Sequence, residues 1–165
     1  VSLSTVEILD EITVKTDRED TDATPFNGTK SNVTFDSSLG GLKLTNPVSN
    51  STGTYDFVDT LDLGGTFSLS VTRHFQGVGF YTGDQFDNRT ELIDTWTDFD
   101  GTIANDANAK LSVRTSTDMS SYSDFNDVAN GTFKGRGFQF RATLETSDTA
   151  QNVNLQQLGY VVTSK

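Results

Sequence analysis

The chain has 165 residues, an apolar fraction of 33% and a formal net charge of −11, with a pI of about 4.3. A surface this acidic repels phosphate backbones and anionic headgroups, which argues against nucleic acid as a partner, and no apolar run approaches the roughly 20 residues that cross a bilayer as a helix. Cysteine is absent, which excludes a disulfide framework, thiolate metal sites and a cysteine nucleophile together.

The first stretch, Val1 to Thr16, has no charged-then-apolar leader and reads as a processed end or the start of a piece of a longer chain. Its apolar residues fit two patterns: Ile8, Leu9 and Ile12 suit a helical face, while Val6/Ile8 and Ile12/Val14 suit a strand, the preferred reading. "DREDTDATP" (17–25) lacks large apolar residues and reads as a solvated loop or linker. The expected organisation is therefore a lead-in strand and acidic loop over 1–24, followed by one β-sandwich domain over 25–165. Leu, Val, Ile and Phe make up about a quarter of the chain, enough for a packed core, and twelve phenylalanines carry much of it.

From Phe26 onward, short β segments alternate with Gly, Asn, Asp, Ser and Thr, and only two prolines interrupt the whole chain. Strands are predicted at 33–35, 42–44, 55–58, 67–72, 78–81, 91–96, 110–115, 137–145 and 157–163. In "GFQFRATLE" (137–145), Phe138, Phe140, Ala142 and Leu144 fall on one face, and Gln139, Arg141, Thr143 and Glu145 on the other. So many short strands close most naturally as an all-β, two-sheet antiparallel β-sandwich of the jelly-roll kind.

Three segments occur in order: "LDLGG" (61–65), "RTSTDMSSYSDF" (114–125) and "GRGFQFRATLET" (135–146). Together they resemble the discoidin-like (galactose-binding-like) jelly roll, with its "DLG" strand, "S-x-D-G-x-x-W" turn and "R-Y-x-x-x-R-x-x-L" strand, over roughly residues 53–162. Met119 stands where that turn usually has Gly, Tyr122 where it has Trp, and Gly137 where Tyr follows the first Arg. "LIDTWTDFDG" (92–101) ahead of the turn is similar to discoidin-like domains of bacteriophage tail-tip and host-specificity proteins. The resemblance implies a non-enzymatic, extracellular virion component of a tail tip or tail fibre, in host attachment or tail assembly. Its implied partners are other tail subunits, as a homo-oligomer, and a host-surface glycan or protein, without membrane insertion. A carbohydrate-binding module of a secreted bacterial enzyme or adhesin is the alternative.

Trp96, Tyr122 and Arg141 are the candidate ligand-binding residues, as ring platforms and a planar donor. Trp96 as a core residue, and Arg141 in a cross-strand ion pair on a solvated sheet, are the plainer readings. Asp98, Asp100 and Asp106, with Asn105, supply hard oxygens suited to Ca²⁺, although Thr102 and Ile103 break the EF-hand pattern. A turn that caps its own backbone competes with that reading. His74 is the single histidine and lies outside any G-x-S-x-G elbow, so no catalytic role is assigned to it. Triplets of the N-x-S/T kind begin at Asn27, Asn32, Asn50, Asn88 and Asn130, a chance yield in a chain this rich in Asn, Ser and Thr.

Overall fold

The computed structural model describes residues 13–81, 106–129 and 131–164, and every regular element among them is a strand. In chain order these are β1 (Thr13–Arg18), β2 (Thr29–Ser31), β3 (Val33–Asp36), β4 (Gly41–Leu44), β5 (Thr52–Asp56), β6 (Leu61–Tyr81), β7 (Ala107–Ser116), β8 (Asn126–Asp127), β9 (Thr132–Thr146) and β10 (Gln151–Ser164). The all-β expectation holds. The segments expected at 67–72 and 78–81 belong to one 21-residue strand, β6. The strand expected at 91–96 lies outside the described residues.

The strands pair antiparallel in the order β2-β5-β9-β6-β10-β4-β3, with β7 beside β9, β8 beside β7, and β1 beside β10. β6 is the joint between two layers. Its residues Leu61 and Asp62 and, after a register shift, Phe67 to Ser70 pair with β9, and Leu69 to Ser70 already pair with β10, which β6 then follows to Tyr81. One layer is thus β8, β7, β9, β5 and β2, and the other is the second half of β6 with β10, β1, β4 and β3.

The layers close on an apolar core because their strands alternate. On β9, Phe138, Phe140, Ala142 and Leu144 are all buried, as the period-2 pattern requires. β10 faces them with Val153, Leu155, Leu158, Tyr160 and Val162, also buried. The spacing from Leu155 to Leu158 breaks the alternation, and a register shift falls between Leu155 and Gln157, where one extra residue restores the inward face. The Phe140 and Tyr160 rings stack across the layers with centroids 3.8 Å apart. Phe57, at 5.7 Å from each of them, joins this pair to Tyr55, Phe26 and Phe35. Such ring pairs each add about 0.5–1.5 kcal/mol beyond the area they bury.

Polar side chains finish what the ladders leave open. Asn152, 3% exposed on β10, accepts from the backbone N–H of Leu44 and donates to its carbonyl, both at 2.9 Å, so its amide acts as an extra link from β10 to β4. Asn32, with φ of 53°, donates from Nδ2 to the carbonyls of Asn50 and Thr52. That amide, one of the triplet asparagines, is therefore committed to the 45–51 turn.

The acidic stretch 17–25 meets its expectation as a solvated loop only in part: residues 21–24 are exposed, whereas 17–20 are packed on the sandwich. Its first residues close β1 against β10, and Glu19 is 1% exposed. Tyr55 donates its hydroxyl hydrogen to Glu19 Oε2 at 2.6 Å, while the Leu158 carbonyl accepts from the Glu19 N–H at 2.8 Å. The Asp20 carboxylate binds Arg18 at 2.7 Å and accepts from the Leu158 N–H. Charge alone suggests a wet stretch throughout, whereas the hydrogen bonds of Glu19 and Asp20 hold its first part on the sandwich.

Candidate functional site

The outer face of β9 carries an ordered row of polar side chains. Register places Arg141 between Asp56 of β5 and Ser112 of β7, and Gln139 beside Arg114 of β7. Arg141 binds Asp56 through two parallel bonds, Nε to Oδ1 at 2.6 Å and Nη2 to Oδ2 at 3.1 Å. This fork geometry fixes the guanidinium plane. Arg114 donates from Nε to Gln139 Oε1 at 2.7 Å, and Gln139 donates in turn to Thr60 Oγ1 at 3.1 Å. Asp56, Arg141, Gln139, Arg114 and Thr60 thus form a row across three strands and the 57–60 turn.

The segment after β7 lays aromatic rings over that row. Ser116 Oγ caps the N–H groups of Asp118 and Met119, and Asp118 Oδ1 accepts from those of Ser120 and Ser121. These bonds hold the Asp118 carboxyl well below the usual carboxylate range. The turn requires a left-handed residue, and Met119 takes it with φ of 65°, at the position where the resembling motif has Gly. Beyond the turn, the guanidinium carbon of Arg114 lies 5.1 Å from the Tyr122 ring centre and 4.9 Å from that of Phe125. Arg141 lies 4.3 Å from Phe125. Cation and ring alternate through Arg141, Phe125, Arg114 and Tyr122.

A cleft of about 190 Å³ opens here, lined by Asp56, Phe57, Asp59, Thr60, Arg114 and Phe125 above Gln139 and Phe140. It is smaller than the roughly 300–1,000 Å³ clefts that take drug-sized ligands, and suits one polar ring. The bond to Asp56 raises the pKa of Arg141 further, so its charge is permanent and already neutralised. Arg114, by contrast, has no carboxylate partner among the described residues; its charge stands open at the cleft.

A second fork lies nearby. Arg136 binds Asp62 through Nε at 2.8 Å and Nη2 at 3.1 Å, and Asp62 also accepts from the Gly64 N–H at 2.8 Å. These bonds lower the Asp62 carboxyl to about 2. Gly137, next along β9, lies beneath the turn: a Cβ there would overlap Met119 Sδ and stand 2.9 Å from the Tyr122 hydroxyl. The side chain that the resembling motif has at this position has no room, because Met119 and Tyr122 fill it. All three segments that carry the resemblance therefore meet around one corner of β9.

Of the sequence-derived candidates, the structure brings Tyr122 and Arg141 into one cluster, with Arg141 in the cross-strand pair. Trp96, Asp98 and Asp100 lie outside the described residues. Asp106 sits in a turn network: its N–H donates to Gln151 Oε1 at 2.9 Å, its Oδ2 accepts from Gln151 Nε2 at 3.1 Å, and its carbonyl accepts from the Ser147 N–H. No group of three metal-ligating side chains occurs among the described residues. Sequence reasoning does not single out Arg114, Phe125 or Asp56. Alternation marks Arg114 and Arg141 as outward positions of their strands, but only strand register shows that they are neighbours.

Comparison of the chain with protein-family models, with curated proteins and with solved structures gives no match.

Proposed function

We propose that the chain is a non-enzymatic recognition module that binds a surface glycan in the Arg114–Phe125 cleft, carried on a bacteriophage tail tip or tail fibre. The observation that carries the binding reading is the row Asp56, Arg141, Gln139, Arg114 and Thr60 beneath half-exposed rings. Sugars present hydroxyls in a plane and C–H faces beside them; a fixed guanidinium, a carboxylate, an amide and an aromatic ring match both surfaces. The tail assignment rests on the ordered discoidin-like motifs, and their convergence at Asp62, Arg136, Gly137 and the Ser116–Tyr122 turn supports it. A non-catalytic role is supported by the state of the carboxyls: Asp56 is forked by Arg141, and Glu19, pushed up to about 7 chiefly by burial, is out of contact with solvent.

The test is binding of the domain to intact host cells and to a glycan array, with and without calcium, beside Phe125→Ala and Arg114→Ala. Saturable binding that weakens on the order of 10-fold or more in both variants, with unchanged unfolding temperature, is the expected result. No binding under any condition removes the glycan reading and leaves a structural tail domain. Detection of the chain at several copies per purified virion separates the tail assignment from a carbohydrate-binding module of a secreted bacterial enzyme or adhesin.

A further inference from the structure

We propose that Glu19 is a proton-operated latch, closed when its carboxyl is protonated, that fastens the 17–25 arm and the 57–60 turn to the sandwich. One residue ties four parts of the molecule. Its carboxyl accepts from the Tyr55 hydroxyl of β5 at 2.6 Å, and the backbone of Val58 in the turn acts on it by favouring its ionised form. Its main chain donates to the Leu158 carbonyl of β10 at 2.8 Å and accepts from the Phe26 N–H at 2.9 Å.

Among the described residues, the charged groups that act on it directly are acidic. Asp17 on β1 and Asp22 in the arm act directly on Glu19, and Asp59 in the turn acts on Asp17 and Tyr160 beside it. Tyr55 and Tyr160 face it from β5 and β10. Among the described residues, Lys15 acts on Asp17, Arg18 is bonded to Asp20, and the Lys30 Nζ lies 5.7 Å from the centre of the Tyr55 ring. Asp17 Oδ2 and the Tyr160 hydroxyl are buried with no hydrogen-bond partner among the described residues. An ionised Glu19 therefore adds charge to a buried space that already holds unmatched oxygens, whereas a protonated Glu19 adds none and gains a donor.

Burial first, then Asp17 and Asp22, push the Glu19 carboxyl up to about 7 against the bonds from Tyr55 and Val58. A raised carboxyl pKa means that the folded state holds the proton more tightly than the unfolded one, so folding is favoured as pH falls through 7 and disfavoured above it. Asp59 and Thr60 of the same turn line the cleft, so opening the latch frees that wall; this one consequence rests on the glycan reading.

The test uses ligand-free protein, wild type and Glu19→Gln, with thermal unfolding and amide NMR between about pH 5 and pH 9. The wild-type unfolding temperature is expected to drop by several degrees across that range, and the drop is expected to be clearly smaller in Glu19→Gln, where only Asp17 and the net charge remain to cause it. The amides of Val58, Asp59 and Thr60 are expected to titrate together with the Glu19 carboxyl. Equal slopes in the two proteins overturn the latch. Should Glu19→Gln fail to fold, the wild-type Glu19 carboxyl carbon shift decides, and a midpoint at the ordinary 4.5 overturns it. Loss of the pH dependence on adding calcium chloride also overturns it, in favour of a cation site. Because no glycan is present, failure of the latch is distinct from failure of the cleft to bind.

Discussion

Tyr55 shows how much one oxygen can hold. Its ring is fully buried against Phe26, and its hydroxyl both donates to Glu19 and accepts from the Gly28 N–H at 2.8 Å. Tyr55→Phe keeps the ring and strands two polar groups, which costs about 1–3 kcal/mol each when nothing replaces the bond. The expected loss, read as a shift in the urea midpoint, is larger above neutral pH, because the hydroxyl stabilises the ionised form of Glu19. Gly159 has a different reason to be what it is. A Cβ there would overlap the Asp17 carbonyl oxygen and stand 3.0 Å from the Arg18 Cα, both in the backbone of β1. Gly159→Ala must push β1 away from β10 and should destabilise by about 1–3 kcal/mol in the same measurement. Neither dependence is legible in sequence: Glu19 reads as solvated like the other acids of 17–25 because charged side chains usually are, and a lone Gly in a strand does not name the strand that crosses it.

Elements differ in what their pattern discloses. β9 alternates without interruption from Phe138 to Glu145, so its inner and outer faces are readable from the residues alone. β10 discloses itself only from Gln157, because the extra residue near Gln156 reverses the phase and its first residues, Gln151, Asn152 and Asn154, are polar yet buried. β6 reads as two strands because "RHFQG" interrupts its apolar pattern, although the backbone continues through it. The cleft is half legible for the same reason: period-2 reading sends Arg114 and Arg141 outward but says nothing of β5, β7 and β9 lying side by side. Two cross-strand links at this scale should behave oppositely. Asn152→Ala orphans a buried N–H and a buried carbonyl of Leu44, and a loss of about 2–4 kcal/mol in equilibrium unfolding is expected. Asp56→Asn breaks a fork whose side chains are 39% and 32% exposed, and stability should change by less than about 1 kcal/mol. On the proposed glycan reading its effect should appear in glycan affinity instead, since Arg141 then loses the partner that fixes its plane. A large stability loss in Asp56→Asn, with affinity unchanged, would make the fork a structural device only.

For the whole molecule, two opposing sets of carboxyls shape stability against pH. Glu19, raised to about 7, and Asp17, also raised by burial, favour the fold increasingly as pH falls from neutrality toward the ordinary carboxylate range. The net charge of −11 acts in the same direction, because protonation relieves self-repulsion. Asp36, Asp62 and Asp118 act in the other direction. Lys43 and Ser38 lower the first, Arg136 and the Gly64 N–H the second, and the Ser120 and Ser121 N–H groups the third. Their contribution is complete above the ordinary value of 3.8 and is lost as pH falls toward their depressed values. Stability should therefore peak in mildly acidic solution, between about pH 4 and pH 6, and fall on both sides. Salt separates the causes of the alkaline decline. Repulsion between surface charges is screened over about 10 Å at 0.1 M salt, so sodium chloride should recover that part at neutral pH. The buried Glu19 contribution is screened far less and should persist, disappearing only in Glu19→Gln. A urea midpoint that rises steadily from pH 5 to pH 8 would show that the buried acids do not govern the fold's response to protons.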